Sequence, residues 1–144
     1  MAGKSIFPKR LLCGAEHRAF TIDLQMYSAQ LLDHFQNPRN AGEIDDADAT
    51  AEIENPVCGD ILRLTLKVRG GQITQARFKA KGCVAAIACG SALTELVAGK
   101  TLDEARSLRS ANISTAVGEL PQGSAHAAQL ALDALTLALS SVKP

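Results

Sequence analysis

The pattern of apolar and polar positions predicts a first helix near residue 26. Leu31, Leu32 and Phe35 recur at helical spacing after Met26. Asn37-Pro38 closes this pattern, because proline lacks an amide proton and disfavours helical backbone in the residue before it. We therefore predict a helix that begins at Met26 and ends before Asn37-Pro38.

The next part of the chain alternates apolar and polar residues, as half-buried strands do. Residues 49–54 alternate in this way, and Asn55-Pro56 separates them from a second such segment, residues 61–68. Gly70-Gly71 favours a tight hairpin turn, because glycine tolerates a positive φ. Residues 73–80 continue the alternation. The pattern predicts an antiparallel meander of three strands.

Helical patterns follow the third strand. The segment from Cys83 to Ala98 is rich in Ala, Leu and Val and ends at Gly99, a common residue after a helix. Thr101 and Glu104 have the spacing of a capping box, in which each side chain satisfies the other residue's backbone amide. A short helix is expected after Thr101.

The remaining C-terminal residues are also predicted to be largely helical. The short helix runs through Leu108, residues 112–117 form another turn or two, and residues 120–123 form a loop. The last helix extends from about Ser124 to Val142. Its broad apolar surface is expected from leucines at 130, 132, 135, 137 and 139.

Residues 1–25 differ from the rest because they mix basic, polar and apolar residues without clear periodicity. We expect them to form an N-terminal extension, disordered in one interpretation, and residues 26–144 to form a single domain. Two alternatives stay open. Met26 could be the true start, with the upstream codons included in error, or the extension could be an ordered arm that packs on the domain.

Composition narrows the classes of function. The chain has 144 residues, 47% of them hydrophobic, which suits one folded domain with a substantial core. Lys and Arg number 15, as do Asp and Glu, so no broad basic face for nucleic acid is expected. The lack of net charge offers little resistance to association. Binding to protein partners, or a homodimer, is therefore compatible with the composition.

No membrane or secretion signal is evident in the sequence. There is no run of about 18 apolar residues that could span a bilayer. The short apolar runs near the start are broken by Pro, Lys and Arg, so no signal peptide is expected. We therefore predict a cytoplasmic protein with reduced thiols.

Two cysteines lie where the chain turns between predicted elements. Cys58 belongs to a Pro- and Gly-containing loop, and Cys83 follows Gly82 at the start of a predicted helix. Backbone amides and helix dipoles gather at such corners and stabilise thiolates, the form that binds metal or attacks sulfur. This placement favours metal or sulfur chemistry.

The meander should bring these cysteines together, because both loops turn at the same end of the sheet. Asp60 lies on the same loop as Cys58, and His126 lies in the first turn of the last helix. Two thiols, a carboxylate and an imidazole make a plausible ligand set for one metal site: Cys58, Asp60, Cys83 and His126.

Each of these residues also has a plainer interpretation. Cys58 and Cys83 could be small buried hydrophobes, Asp60 a turn or capping carboxylate, and His126 by itself a cap or surface residue. Cys89 follows Cys83 by six positions, a rotation of about 240° on a helix, so we assign it to the core. Cys13 lies in the extension and has no evident partner.

Several motifs resemble the iron–sulfur cluster assembly scaffolds of the IscU/SufU/NifU type. The resemblance runs from Tyr27 to about Leu139. It includes the family's "DHxxNPRNxG" at residues 33–42 and its two ligand loops, which contain Cys58 and Cys83. The small-residue helix at residues 85–91 and a "GKSxxEA"-like segment at residues 99–105 are also similar to the family.

The resemblance implies an α+β fold, a two-layer SufE/NifU-like arrangement with helices on a three-stranded antiparallel sheet. It implies a scaffold rather than an enzyme. Such proteins receive sulfur from a cysteine desulfurase, hold a transient [2Fe–2S] cluster, and pass it to apo acceptor proteins. Cys58 and Cys83 would be thiolate ligands. Asp60 would be a labile ligand, because its harder oxygen binds iron more weakly than thiolate does.

The sequence departs from the family pattern at the last helix. The family commonly reads "LPPVKxHCS" there, and His126 matches its histidine, but Ala127 stands where the third cysteine is expected. In the family that cysteine usually accepts the persulfide. Gln122-Gly123-Ser124 replaces the "PVK" segment read by the Hsp70-type chaperone, which places chaperone-assisted release in doubt.

This departure leaves three functional hypotheses. In the first, the chain is a divergent scaffold whose cluster is held by Cys58, Asp60, Cys83 and His126. In the second, the same residues bind Zn²⁺, and the protein is a sulfur-relay partner or adaptor of a desulfurase that assembles no cluster. In the third, the domain is an interaction module with a vestigial site.

Overall fold

A computed structural model of the chain describes residues 27–56 and 59–142, and of Gln122 it describes the backbone alone. These residues form a three-stranded antiparallel sheet with helices packed on it, which confirms the predicted α+β class. The predicted extension over residues 1–25 and Cys13 lie outside the described residues.

The first helix, α1, spans Ala29–Gln36 and therefore begins later than the predicted start at Met26. Ser28 sets the boundary, because its hydroxyl accepts a hydrogen bond from the Leu31 amide at 2.9 Å. The helix ends before Asn37-Pro38, as predicted.

The sheet is the predicted meander, with strand order β1-β2-β3. Strand β1 spans Ala49–Glu54, β2 spans Ile61–Arg69 and β3 spans Gln72–Lys81. Gly70 and Gly71 form the hairpin turn with φ of 59° and 76°, values that side-chain-bearing residues rarely adopt. At the other end of this hairpin Ile61 pairs with Lys81. Asp60 therefore lies directly beside the residues that follow β3.

The two faces of the sheet differ in character. Leu62, Leu64 and Leu66 are fully buried on the inner face. On the outer face Arg63 pairs with Glu43 at 2.9 Å and with Glu52 at 3.1 Å. The helices cover the inner face, and ionic pairs lie on the outer face.

The first two helices after the sheet are α2 and α3. Helix α2 spans Val84–Val97, with Cys83 as its N-cap, and packs against β3. Helix α3 spans Leu102–Arg106 and begins with the predicted capping box of Thr101 and Glu104. It ends before the predicted limit at Leu108, because the chain tightens into a turn at residue 107.

Helix α4 spans Ser110–Ala116 and packs against the last helix, α5, which spans Ala125–Ser140. The segment Gln122–Ser124, within the predicted loop and start of the last helix, forms a turn of 3₁₀ helix. Helix α5 contacts α2, β1 and β2. Its first turn lies at the end of the sheet that carries Asp60 and Cys83, because His126 is close to Asp60 there.

The apolar surface of α5 is narrower in the structure than its five leucines predicted. Leu130, Leu135 and Leu139 are buried, but Leu132 is half-buried and Leu137 is 45% exposed. The prediction was wrong for Leu137. Alanines form much of the buried face instead, at positions 127, 128, 131, 134 and 138. Small side chains let this helix approach the sheet and α2 closely.

The buried apolar residues of the sheet and of helices α1 to α5 form one core cluster. Within the described part of the chain, no helix has both the length and the apolar character needed to cross a membrane.

Candidate metal centre

Asp60 is a buried carboxylate at the start of β2. It is only 4% exposed. Its position follows from the register of the sheet, because Ile61 pairs with Lys81 and the next residues on the two chains are Asp60 and Gly82. A carboxylate buried to this degree needs hydrogen-bond donors or a cation close to it.

Cys83 supplies two contacts to that carboxylate. Its backbone amide donates to Asp60 Oδ1 at 3.3 Å, and its thiol donates to Asp60 Oδ2 at 3.4 Å. Cys83 is also the N-cap of α2, where its sulfur accepts a hydrogen bond from the Ala86 amide at 3.4 Å. The end of β3 and the start of α2 thus fix the sulfur beside Asp60.

His126 approaches from the first turn of α5. Its Nε2 lies 3.6 Å from Asp60 Oδ2, and 34% of its side chain is exposed. The imidazole forms the solvent-facing side of the group, whereas Asp60 forms its buried side.

These three residues can offer one ligand atom each, and the atoms lie within 4.8 Å of one another. Tetrahedral zinc bonds of 2.0–2.3 Å imply ligand-to-ligand distances of about 3.3–3.7 Å. The separations of Asp60 Oδ2 from the sulfur and from the imidazole nitrogen, 3.4 and 3.6 Å, already fall in that range. The sulfur, nitrogen and oxygen donors therefore suit a zinc or iron site.

Cys58, the fourth predicted ligand, lies outside the described residues. Its role stays a prediction. The residues on each side of the gap are described: the Asn55 amide donates to the Asp60 carbonyl at 2.8 Å, and the Gly59 amide donates to the Asn55 carbonyl at 2.6 Å. These bonds tie Asn55 and Gly59 to the start of β2, next to the three-residue group.

The protonation of Cys83 differs from the expectation that its position would stabilise a thiolate. Burial raises the pKa of the Cys83 thiol from 9.0 to about 11. The Ala86 amide lowers this pKa and the nearby Asp60 raises it further, so the helix start does not offset the loss of solvent. In the metal-free protein Cys83 is a neutral thiol at physiological pH, and a metal would have to displace its proton.

Comparison with known proteins identifies the family. A model of the NifU-like N terminal domain matches residues 26–143. The chain belongs to the NifU-like N-terminal domain family. "Iron-sulfur cluster assembly scaffold protein IscU 1" of Archaeoglobus fulgidus is 45% identical to it over 114 residues, which cover 79% of this chain and 74% of the relative.

Two further comparisons agree with this family. "Iron-sulfur cluster assembly scaffold protein IscU" of Escherichia coli is 41% identical over 121 residues, covering 81% of this chain and 94% of the relative. The crystal structure of an N-terminal NifU-like protein from Brucella abortus superposes with a TM-score of 0.67 over 81% of this chain and 94% of that one. Its sequence identity is 23%, so it shows the fold alone.

Ala127 marks the departure of this NifU-like domain from the family motif. It follows His126 on α5, yet its side chain is 0% exposed. The methyl group belongs to the core cluster. Position 127 thus contributes to packing and offers no ligand atom.

Cys89 does not replace the missing thiol. It is 0% exposed within α2, which confirms its assignment to the core. Burial raises its pKa to about 12, so it stays protonated at physiological pH. Among the described residues, the possible metal ligands that converge are Asp60, Cys83 and His126, and Cys89 is not one of them.

The close approach of Gly82 to Asp60 was not predicted from the sequence. A β-carbon at this position would lie 2.2 Å from Asp60 Oδ1, and the backbone φ is +145°. The glycine that precedes Cys83 was the available signal, but it was assigned only to the start of a helix.

The family motif at residues 33–42 ties α1 to α2. His34 Nδ1 lies 2.7 Å from Ser91 Oγ, which also accepts a hydrogen bond from the Arg39 amide at 2.8 Å. Burial, assisted by Arg39, lowers the pKa of His34 below its usual value. A neutral imidazole at this junction anchors the helix that carries Cys83 at its N-terminus.

Proposed function

We propose that this protein is a scaffold for iron–sulfur cluster assembly. It accepts sulfur from a cysteine desulfurase, holds a transient [2Fe–2S] cluster and passes the cluster to apo acceptor proteins. The observation that carries the proposal is the convergence of Asp60, Cys83 and His126 in a chain 45% identical to a named scaffold protein. The cluster is the protein's cargo and not a resident cofactor.

The proposed ligands are Cys58, Asp60, Cys83 and His126. Thiolate and imidazole both bind cluster iron. Asp60 supports transfer, because a carboxylate oxygen is a harder and weaker ligand for such iron than thiolate is. The partial exposure of His126 supports transfer to an acceptor, because one side of the proposed centre would face solvent.

Ala127 restricts where sulfur can arrive. A buried methyl group cannot carry a persulfide, so among the proposed ligands only Cys58 and Cys83 could receive sulfur. Cys83 is a poor nucleophile while it keeps its proton. Iron binding would remove that proton and so prepare the Cys83 sulfur for the cluster.

Anaerobic reconstitution with iron and sulfide tests the proposal. We expect two irons and two sulfides for every one or two chains, with absorption bands in the visible. Cys83→Ala should lose the colour because it removes a ligand. Cys89→Ala is the matched control: it makes the same substitution at a core cysteine and should keep the colour. Wild-type protein that stays colourless after reconstitution would contradict cluster assembly.

A zinc-bound adaptor of a cysteine desulfurase is the second candidate. The observation that favours it is Ala127, since the three donors that converge could hold a single ion without a third cysteine. This candidate predicts one tightly held zinc per chain and no visible absorption after reconstitution. The same preparation therefore distinguishes the two functions.

A further inference from the structure

The carboxyl group of Asp60 occupies the position that a β-carbon on Gly82 would take. A β-carbon on Gly82 would lie 2.2 Å from Asp60 Oδ1 and 2.6 Å from its carboxyl carbon. Neither distance is possible between non-bonded atoms, so the carboxylate occupies the volume that any other residue at position 82 would need. Because the Asp60 side chain is nearly fully buried, it has little room to move away from a β-carbon at position 82.

The two oxygens of Asp60 have different partners. Oδ1, the oxygen above Gly82, accepts a hydrogen bond from the Cys83 amide at 3.3 Å. Oδ2 faces the Cys83 sulfur at 3.4 Å and His126 Nε2 at 3.6 Å. One oxygen is thus held by the backbone, and the other is directed at the candidate metal position.

We propose that Gly82 is a positioning residue that makes Asp60 a one-oxygen ligand. Its missing side chain lets Oδ1 reach the Cys83 amide, which leaves Oδ2 alone for the metal. The inference rests on the proposed function, since it requires a metal at this centre. In this inference Gly82 and the Cys83 amide set the orientation of the Asp60 carboxylate, whereas the metal ligands bind the ion.

Two consequences follow for the metal. A carboxylate that offers one oxygen suits a tetrahedral ion with sulfur and nitrogen ligands, and disfavours Ca²⁺ and Mg²⁺, which require six or more oxygens. A metal can also leave Oδ2 while Oδ1 stays on the Cys83 amide. The ligand is therefore labile without any rearrangement of the buried carboxylate.

Zinc binding by the Gly82→Ala protein tests the role of Gly82. The added methyl group should push Asp60 from the Cys83 amide and reduce zinc affinity about 10–100-fold, as loss of a group that orients a metal ligand does. Gly99→Ala is the control, because Gly99 also has a positive φ of +85° but no atom within 4 Å of its β-carbon position. Its zinc affinity should match that of the wild type.

The Cys83 amide gives a second readout, and Asp60→Ala removes its hydrogen bond without adding backbone strain at residue 82. In amide NMR spectra of the metal-free proteins, its resonance should shift and its hydrogen exchange should accelerate in Gly82→Ala and in Asp60→Ala. Both variants remove the Oδ1 hydrogen bond by different routes. Unchanged Cys83 exchange in Asp60→Ala would overturn the anchoring of Oδ1.

A double-mutant cycle keeps the inference testable if Gly82→Ala folds poorly. In the Asp60→Ala background the carboxyl group is gone, and the nearest remaining atom, the residue 60 β-carbon, is 3.0 Å away. Gly82→Ala should therefore destabilise that background much less than it destabilises the wild type. Equal losses of stability in both backgrounds would overturn the inference.

The outcomes separate this inference from the proposed function. Wild-type protein that binds zinc but assembles no cluster would contradict the scaffold function and leave the role of Gly82 intact. Equal zinc affinity in Gly82→Ala and wild type would overturn the role of Gly82 and leave the scaffold function intact. Wild-type protein that binds no metal would overturn both.

Discussion

Cys83 combines two demands that oppose each other. As the N-cap of α2, its sulfur accepts a hydrogen bond from the Ala86 amide, which favours a thiolate. Its burial beside Asp60 favours the neutral thiol. Burial has the larger effect, and the pKa of Cys83 rises to about 11. Metal binding at physiological pH must therefore release a proton from this residue.

We predict that zinc binding becomes tighter with rising pH, by about tenfold per pH unit for each proton released. Calorimetric titrations in two buffers of different ionisation enthalpy measure the number of protons. Cys83→Ala should release about one proton fewer than the wild type does, with Cys89→Ala as the unaffected control. Equal proton release by Cys83→Ala and the wild type would show that the Cys83 thiol does not bind the metal.

The position of Cys83 beside Asp60 could be predicted from the sequence, but the protonation state of its thiol could not. Turn residues and strand ends predicted that Cys83 and Asp60 would meet, because those signals are local. The protonation depends on how much solvent the folded protein excludes, which no local pattern contains. The contact of Asp60 with Gly82 was missed for the same reason, since it depends on where a buried carboxylate turns.

At the scale of elements, the packing of α2 on β3 depends on a glycine inside the helix. A β-carbon on Gly90 would lie 2.5 Å from Phe78 Cδ2 and 3.1 Å from Leu62 Cδ1. The ring and the helix backbone are therefore in close contact, which brings the whole of α2, including its N-cap Cys83, down onto the sheet.

We predict that Gly90→Ala destabilises the protein although alanine favours helices. Overpacking costs about 1–3 kcal/mol, whereas the helix preference of alanine over glycine returns about 1 kcal/mol. Urea unfolding of the metal-free protein would measure the difference. Gly123→Ala, with no atom near its β-carbon position, should have little effect. A Gly90→Ala protein more stable than the wild type would show that Phe78 can move aside.

Elements with strong local signals were predicted best. Strand β1 has the predicted bounds, because only one face of the strand packs on the core and its apolar and polar residues alternate accordingly. The capping box of Thr101 and Glu104 was also confirmed, since it involves neighbouring residues. The predicted end of α3 was wrong, because the chain turns at residue 107. The predicted apolar surface of α5 was wrong at Leu137, which is 45% exposed, because the leucines on that helix do not by themselves set which side faces the core.

At the scale of the whole molecule, the protein buries two thiols that its unfolded chain would expose. The pKa of Cys83 rises to about 11 and that of Cys89 to about 12, both from the ordinary value of 9.0 and mainly through burial. The folded state therefore holds these protons more strongly than the unfolded state does. The stability they contribute is fully present below about pH 9 and is lost as the pH rises through 11 and 12.

We predict that the metal-free protein loses stability between pH 9 and pH 11, and that Cys89→Ala reduces this loss. The variant removes one of the two buried thiols, so its free energy of unfolding should fall less steeply with pH than that of the wild type. Its free energy of unfolding at pH 7 should be lower, because the missing sulfur leaves a cavity in the core. Urea unfolding at a series of pH values gives both slopes. Parallel slopes would show that Cys89 does not resist ionisation.

The three residues that meet at the candidate centre come from separate parts of the chain, with Asp60 and Cys83 already 23 positions apart. An unfolded chain cannot present them together, so a metal bound there binds the folded form alone. At a free concentration one hundred times its dissociation constant, such a metal adds about 2.7 kcal/mol to the free energy of unfolding. The supply of that metal would then set the fraction of molecules exposed to proteases. The abundance of this protein would follow iron or zinc nutrition without any change in its synthesis.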